Sequence, residues 1–131
     1  MPLLKEDLIK LAIDKSESAL KTAEKNISLN QLEGALNRVY YSIFYAVSAL
    51  AIKNDFSTSN HLKLMGWFNK KFIYEDKVFA KEMYEIYDDA FTYRQKSDYD
   101  ITYIPEIDTV NDMLSEAGKF IKEIRNYILL K

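Results

Sequence analysis

The sequence predicts an all-α fold, and two observations carry that prediction. Glycine and proline are scarce, with 3 Gly and 2 Pro in 131 residues, whereas a β-sandwich or barrel needs many turn residues. Apolar residues also recur every three or four positions along most of the chain, which is the spacing of one helix face. The length fits a single domain over residues 1–131.

The first two predicted helices contain the strongest apolar pattern. The first covers about residues 4–25, with a turn at 26–30, and the second covers about residues 30–53. The second helix is apolar on two sides, which places it in the middle of a bundle. The stripe of the first helix consists of Leu4, Leu8, Leu11, Ala12, Ala19 and Ala23.

Three more helices follow. The third covers about residues 60–72, residues 73–76 interrupt the pattern, and the fourth covers about residues 76–97. A tight connection over 97–104 leads to a last helix that begins near Pro105, since proline suits a first helical turn. We expect the apolar, core-facing seam of this last helix to contain Leu114. If Leu114 is buried, Leu114→Ala would lower the free energy of unfolding by about 2–5 kcal/mol. The predicted core is Val39, Ile43, Leu50, Met83, Ile86, Leu114 and Ile121.

The composition excludes several kinds of chemistry. The chain has no cysteine, so thiol catalysis, disulfides and Cys-ligated metal sites are ruled out. His61 is the only histidine, and the three glycines lie too far apart for a Rossmann fingerprint or a P-loop. We therefore expect neither a metal nor a cofactor. The formal net charge of −2 leaves room for a local basic patch only.

Signals for secretion or membrane insertion are not visible in the sequence. The first fifteen residues carry several charges, and the longest nearly apolar stretch, residues 43–52, is too short to span a bilayer. The lack of cysteine agrees with a cytoplasmic location. We therefore expect a cytoplasmic protein with no membrane segment.

The segment AFTYRQKSDYD (residues 90–100) is the first candidate site. The apolar stripe of the fourth helix reaches Arg94 in steps of three and four, so this arginine points where core residues point. A buried guanidinium needs a partner, and Asp98 and Asp100 are both in range. Either the pair only pins the connection to the last helix, or Arg94 also faces a cleft and contacts phosphate.

Two further candidates lie earlier in the chain. The segment NRVYYSIFYA (residues 37–46) puts a polar and aromatic strip on an otherwise apolar helix. Those side chains either hydrogen-bond across the bundle or bind a base or phosphate. His61 follows a polar loop near a helix start, where its neutral form is favoured; it is either structural or a hydrogen-bonding group. The strip consists of Asn37, Arg38, Tyr41, Ser42 and Tyr45.

Taken together, these segments resemble the HEPN domain family. The resemblance covers about residues 5–128 and rests on ALNRVYYSIFYAVSAL (35–50), the loop with His61, and TYRQKSDYD (92–100). It implies an antiparallel four-helix bundle with an additional short helix, usually a homodimer. Active members are metal-independent ribonucleases, often toxins with a nucleotidyltransferase-type partner protein. The resemblance also implies that Arg38, Tyr41 and Tyr45 face the fourth helix.

The active-site motif of the family is incomplete in this sequence. It consists of an arginine, a polar residue and a histidine four to six positions after the arginine. Here Arg94 and Gln95 match, but the histidine positions hold Asp98, Tyr99 and Asp100. A carboxylate next to a guanidinium stays ionised and a tyrosine keeps its proton at neutral pH, so neither is a well-matched acid or base.

The sequence therefore supports two functions. The first is a dimeric binding module for RNA, a nucleotide or a toxin–antitoxin-type partner, with little or no catalysis. The alternative is an endoribonuclease toxin in which Arg94 acts with a partner such as Asp98, Tyr99 or His61. Arg94, Asp98 and Tyr99 are then the candidate catalytic residues. The candidate ligand-binding residues are Asn37, Arg38, Tyr41, Tyr45, His61, Gln95 and Asp100.

We also expect a homodimer because the chain has surplus apolar surface. Apolar residues make up 48% of the sequence, and Phe56, Trp67 and Phe91 occupy positions that look exposed on the predicted helices. A two-fold dimer is the commonest way to cover such surface.

Overall fold

Helices make up most of the chain in the computed structural model, which describes residues 4–130. No strand occurs within that range, so the all-α prediction is confirmed. A π-helical segment, Asn69–Glu75, continues the third helix without a break. The α-helices are α1 (Lys5–Ser28), α2 (Leu32–Lys53), α3 (His61–Phe68), α4 (Lys81–Tyr99) and α5 (Ile107–Leu130).

The second helix, α2, is the centre of the bundle, as its two apolar sides predict. It packs against α1, α4 and α5 and also touches α3. Half of its residues are buried, and Tyr40 is among the largest side chains with no exposed surface. Because α2 contacts every other α-helix, its side chains fix where the remaining helices lie. No helix within residues 4–130 is long and apolar enough to cross a membrane.

Only part of the predicted apolar face of α1 is buried. Ala12, Ala19 and Ala23 are buried as predicted, together with Ser16, whose hydroxyl donates to the carbonyl of Ser42 at 2.6 Å. Small residues let the backbones of two helices approach closely, and this row therefore sets the α1–α2 packing. The leucines that share the predicted stripe turn outward, with exposed fractions of 67% for Leu4, 39% for Leu8 and 50% for Leu11.

Several predicted boundaries are corrected. The first helix runs three residues further than predicted and ends at Ser28, and Asn30 takes a left-handed conformation with φ 57°; asparagine tolerates that conformation at a helix end. The predicted break at 73–76 is a π-helix up to Glu75. Its i→i+5 bonding places Phe68 and Ile73, five residues apart, on the same buried side.

The fourth and fifth helices also begin or end at different residues than predicted. Helix α4 begins at Lys81, not near residue 76, and it includes Ser97 and Tyr99, which were predicted to lie in the connection. Helix α5 begins at Ile107, so Pro105 lies before its first turn. The connection therefore contains only residues 100–106.

Five of the seven predicted core residues are buried: Val39, Ile43, Leu50, Met83 and Ile121. Ile86 and Leu114 are only partly buried, because they pack on the edge of the core. The aromatic residues predicted to be exposed are also partly buried. Phe56 stacks on Trp67 with ring centroids 4.8 Å apart, and Phe91 packs against the core. These aromatic residues therefore do not supply the surplus surface from which a dimer was predicted.

Truncation of Leu50 tests this description of the core. Leu50 has no exposed surface, so Leu50→Ala should lower the free energy of unfolding by about 2–5 kcal/mol through lost burial and a cavity. Leu114→Ala is the matched variant at the edge of the core and should cost less than about 2 kcal/mol. Urea unfolding of both variants measures the difference. Equal losses would contradict the placement of Leu114 at the edge.

Candidate functional site

An open cleft of about 710 Å³ lies where α2, the start of α3 and the end of α4 meet. Polar and aromatic side chains share its surface. The lining residues are Tyr41, Asn60, His61, Leu62, Phe91, Arg94, Gln95 and Tyr99. The cleft thus brings together a residue from each of the three segments that the sequence singled out.

Arg94 is the charged group of the cleft. Its guanidinium carbon lies 5.4 Å from the ring centroids of both Tyr40 and Tyr41, within the range of cation–π attraction. Its Nε lies 2.9 Å from Oδ2 of Asp98, and the two side chains are 17% and 31% exposed. The N–H direction misses the carboxylate, so this contact is an ion pair without a hydrogen bond. Of the two partners that the spacing allowed, the structure selects Asp98.

The two terminal nitrogens of Arg94 remain available. Within residues 4–130 they make no hydrogen bond to the protein, and they are not among the buried unpaired atoms. A guanidinium whose Nε side faces a carboxylate can still present its terminal fork to a phosphate. Arg94 can therefore pair with Asp98 at the end of α4 and contact a ligand at the same time.

A second guanidinium, that of Arg38 on α2, also lies beside the Tyr41 ring. The guanidinium carbon of Arg38 is 5.1 Å from the ring centroid of Tyr41. Its Nε and Nη2 donate to Oδ1 of Asn37 at 3.1 and 2.9 Å. Arg38 has no carboxylate within ion-pair distance in the described part of the chain. The Tyr41 ring thus contacts two arginines, which concentrates positive charge beside the cleft.

His61 enters the cleft as the first residue of α3. The side chain of Asn60 caps this helix by accepting from the backbone N–H of Lys63 at 3.0 Å. The Nδ1 atom of His61 lies 2.6 Å from the hydroxyl of Tyr40. The imidazole ring stacks on Phe44, with centroids 4.5 Å apart and planes at 18°. Tyr40 and Phe44 hold the imidazole from the side of the core, and His61 lines the cleft.

The surroundings of His61 favour its neutral form. Burial lowers the pKa of His61 below its usual 6.5, and the positive charge of Arg94 lowers this pKa further. Burial raises the pKa of the Tyr40 hydroxyl well above its usual value, against the opposing effect of Arg94. Both groups therefore remain uncharged at neutral pH.

Unpaired buried polar atoms concentrate at the end of α4. Four such side-chain atoms occur among the described residues, and three of them belong to Arg94, Gln95 and Ser97. The fourth is the hydroxyl of Tyr87, deeper in the core. Arg94 Nε has its ion pair with Asp98, whereas Gln95 Oε1 and Ser97 Oγ have no partner among the described residues, and a buried polar atom of that kind calls for a water, an ion or a ligand.

The remaining candidates lie at different distances from the cleft. Tyr99 lines it and is 76% exposed. Asp100 lies outside it, and its Oδ1 accepts from the backbone and the hydroxyl of Thr102 at 3.0 and 2.6 Å. These bonds lower the pKa of Asp100. Tyr45 faces α1, where Lys15 Nζ lies 5.5 Å from its ring centroid. No cluster of potential metal ligands occurs within residues 4–130.

The sequence reasoning missed five residues of the site, one of which is Asn60, the cap of α3 that also lines the cleft. Tyr40 and Phe44 belong to the apolar strips of α2 and read as core, although they hold His61. Leu62 and Phe91 line the cleft but read as ordinary apolar positions. The adjacent pair of tyrosines at 40 and 41 was the available signal, because consecutive helical residues point in different directions and can serve core and cleft separately.

The class of protein is thus an all-α helical bundle with a cleft between α2 and α4 that Arg94 lines. Residues 9–127 match the profile of the HEPN domain, and the chain therefore belongs to the HEPN domain family. It is 30% identical over 127 residues to a Methanocaldococcus jannaschii protein named "Putative toxin MJ0142", covering 97% of this chain and 85% of that protein. It is 32% identical over 124 residues to a Thermotoga maritima protein named "UPF0332 protein", covering 95% and 93%.

The lowered pKa of His61 predicts a pH dependence of folding. The unfolded chain binds a proton at this histidine near pH 6.5, whereas the folded protein resists it. Stability from this group is therefore complete above pH 6.5 and decreases as the pH falls through 6.5 towards the folded-state pKa. Urea unfolding at pH 7.5 and 5.5 should show a larger loss for wild type than for His61→Gln, since the carboxylates titrate equally in both.

An NMR titration measures the pKa of His61 directly, because His61 is the only histidine in the sequence. Its midpoint should lie below 6.5 and should rise in Arg94→Lys less than in Arg94→Ala, since lysine keeps the charge. A midpoint at or above 6.5 in wild type would contradict the environment described for this ring.

Proposed function

We propose that this HEPN-family protein is a binding module for single-stranded RNA or a nucleotide, with little or no catalysis, in a toxin-type setting. Membership of the family and the toxin name of the Methanocaldococcus relative support a toxin-like or RNA-related module. The finer assignment to phosphate binding rests on Arg94. Arg94 lines the cleft, its terminal nitrogens make no hydrogen bond within residues 4–130, and its contacts with Tyr40 and Asp98 hold it in place.

The apolar part of the cleft supports a ligand that carries bases. Tyr41, Phe91 and Tyr99 supply aromatic rings beside the arginine. Aromatic rings stack on bases of any sequence, and a positively charged groove follows the backbone of a single strand. The combination of rings with Arg38 and Arg94 therefore suits an RNA strand better than inorganic phosphate alone.

The distribution of charge agrees with a weak, local site. The whole chain has a formal net charge of −2, so long-range attraction of RNA is small. Affinity would then come from the few contacts in the cleft. Such contacts release counterions in proportion to their number, and binding should weaken as salt rises.

Substitution of Arg94 tests the phosphate contact. Arg94→Ala should weaken binding of a fluorescein-labelled oligouridylate about ten- to a hundredfold, since a hydrogen bond to a charged group contributes about 1.5–3 kcal/mol. Arg94→Lys should keep the charge but lose the bidentate fork, giving intermediate affinity. Fluorescence anisotropy at several salt concentrations should show the slope of log affinity against log salt falling by about 0.7 in Arg94→Ala.

The matched control is Arg125→Ala on α5. Arg125 is 52% exposed and pairs only loosely with Glu17, at 3.6 Å, away from the cleft. Arg125→Ala removes the same single positive charge as Arg94→Ala, but from a residue away from the cleft. The affinity for the oligouridylate and the salt slope should therefore stay unchanged. Equal losses in both variants would reduce the effect of Arg94 to net charge and contradict the site.

An endoribonuclease is the second candidate function, because the structure adds His61 to the cleft that Arg94 lines. Cleavage would require a base to take the proton of the ribose 2′-hydroxyl while its oxygen attacks phosphorus, and an acid to give a proton to the 5′-oxygen as its bond to phosphorus breaks. Asp98, Tyr99 and His61 are the available partners of Arg94. RNA cleavage in the presence of a chelator, abolished by Arg94→Lys, would favour this function over binding alone.

We also propose a homodimer and a nucleotidyltransferase-type partner protein. The family resemblance supports both, and the exposed leucines of α1 leave apolar surface for a protein contact. Light scattering should give about twice the mass of the 15.3 kDa chain. A mass equal to that of the single chain at micromolar concentration would contradict the dimer.

A further inference from the structure

The hydrogen bond between Tyr40 and His61 has only one direction that satisfies both groups. Tyr40 has no exposed surface, and Nδ1 of His61 is the single hydrogen-bond partner of its hydroxyl within residues 4–130. The hydroxyl keeps its proton, because burial raises its pKa. A buried O–H without an acceptor is costly, so the proton must be donated to Nδ1.

The state of the imidazole follows from this direction. A nitrogen that accepts a hydrogen bond carries no proton, so the single proton of the neutral ring must lie on Nε2. The opposite tautomer would place a proton on Nδ1 and leave the Tyr40 hydroxyl with no acceptor. Burial and the charge of Arg94 disfavour the third possibility, a doubly protonated ring.

The rings around His61 hold it in one orientation. Phe44 lies against its face, and the Tyr40 ring is stacked at 5.7 Å with planes at 20°. With Nδ1 fixed on Tyr40, Nε2 lies on the other side of the ring. Nε2 makes no hydrogen bond within the described part of the chain, and His61 lines the cleft.

We propose that Tyr40 locks His61 as an Nε2–H donor, so that His61 and the Arg94 fork together form a donor-only receptor for the phosphate oxygens of RNA. The ligand class rests on the proposed function. The tautomer lock rests on the buried Tyr40 hydroxyl alone. His61 is then a binding residue, and Tyr40 is its positioning residue.

The lock also bears on the choice between binding and cleavage. An Nε2 atom that carries a proton has no lone pair with which to take one from a ribose hydroxyl. Asp98, the nearest carboxylate to Arg94, is engaged in the ion pair. The receptor therefore offers an RNA phosphate the Nε2–H of His61 and the N–H fork of Arg94, and His61 supplies no base at neutral pH.

The single histidine makes the tautomer directly measurable. In ¹⁵N-labelled protein at pH 7.5, long-range ¹H–¹⁵N spectra should show Nδ1 as an unprotonated nitrogen and Nε2 as a protonated one. Tyr40→Phe should turn this into a mixture of tautomers. Tyr87→Phe is the matched control, because it also removes one hydroxyl from a tyrosine with no exposed surface, but one that has no hydrogen-bond partner in the described residues.

Binding measurements test the second half of the proposal. Titration with the labelled oligouridylate should shift the Nε2 signal of wild type. His61→Phe should weaken binding about tenfold, and His61→Gln, whose amide supplies an N–H donor, should recover part of the loss. Circular dichroism confirms that each variant is folded before it is compared.

The outcomes separate this proposal from the function on which it rests. A protonated Nδ1 in wild type, or a spectrum unchanged in Tyr40→Phe, overturns the lock. Loss of binding in Arg94→Ala with no change in His61→Phe also overturns the receptor, while the RNA-binding function stands. Unchanged binding in Arg94→Ala overturns the function itself, and the tautomer measured in the free protein still decides the lock.

Discussion

The packing of Arg94 against Tyr40 and Tyr41 is the interaction on which the cleft depends. Both rings belong to α2, the helix that contacts all the others, so the position of the guanidinium is set by the core of the bundle. Tyr40 takes part in both regions at once. Its ring is fully buried, and its hydroxyl reaches His61 at the edge of the cleft. A rigid core thereby fixes two polar groups that open to solvent.

The guanidinium of Arg94 lies against two neutral rings and forms one ion pair rather than a full, bidentate salt bridge. The ion pair with Asp98 involves Nε of Arg94, and the rings of Tyr40 and Tyr41 lie within cation–π range of its guanidinium. The charge is held without being neutralised by a second carboxylate. The same charge disfavours protonation of His61, so the cleft contains one positive charge and a neutral imidazole. Such an arrangement suits the recognition of an anion more than the transfer of a proton.

Several features could be predicted because they depend on local spacing. Steps of three and four residues predicted the five helices, the central place of α2 and the direction of Arg94, and a separation of four residues allowed its pair with Asp98. Other features depended on which face of a helix is buried against its neighbours. The outward turn of Leu8 and Leu11 follows from the closer approach that Ala12 and Ser16 allow. The π-helix, which places Phe68 and Ile73 on the same buried side, replaces the break predicted at residues 73–76.

The sequence by itself therefore determined an all-α chain without cysteine or a multi-histidine site, and an arginine on the core-facing side of a helix near its end. Only the tertiary structure decided that His61 lies in the same cleft as Arg94 and that Tyr40 holds its Nδ1. The reason is physical. Helical periodicity fixes which way a side chain points from its own helix, whereas a contact between α2, α3 and α4 depends on how whole helices pack and on the length of the loops that join them.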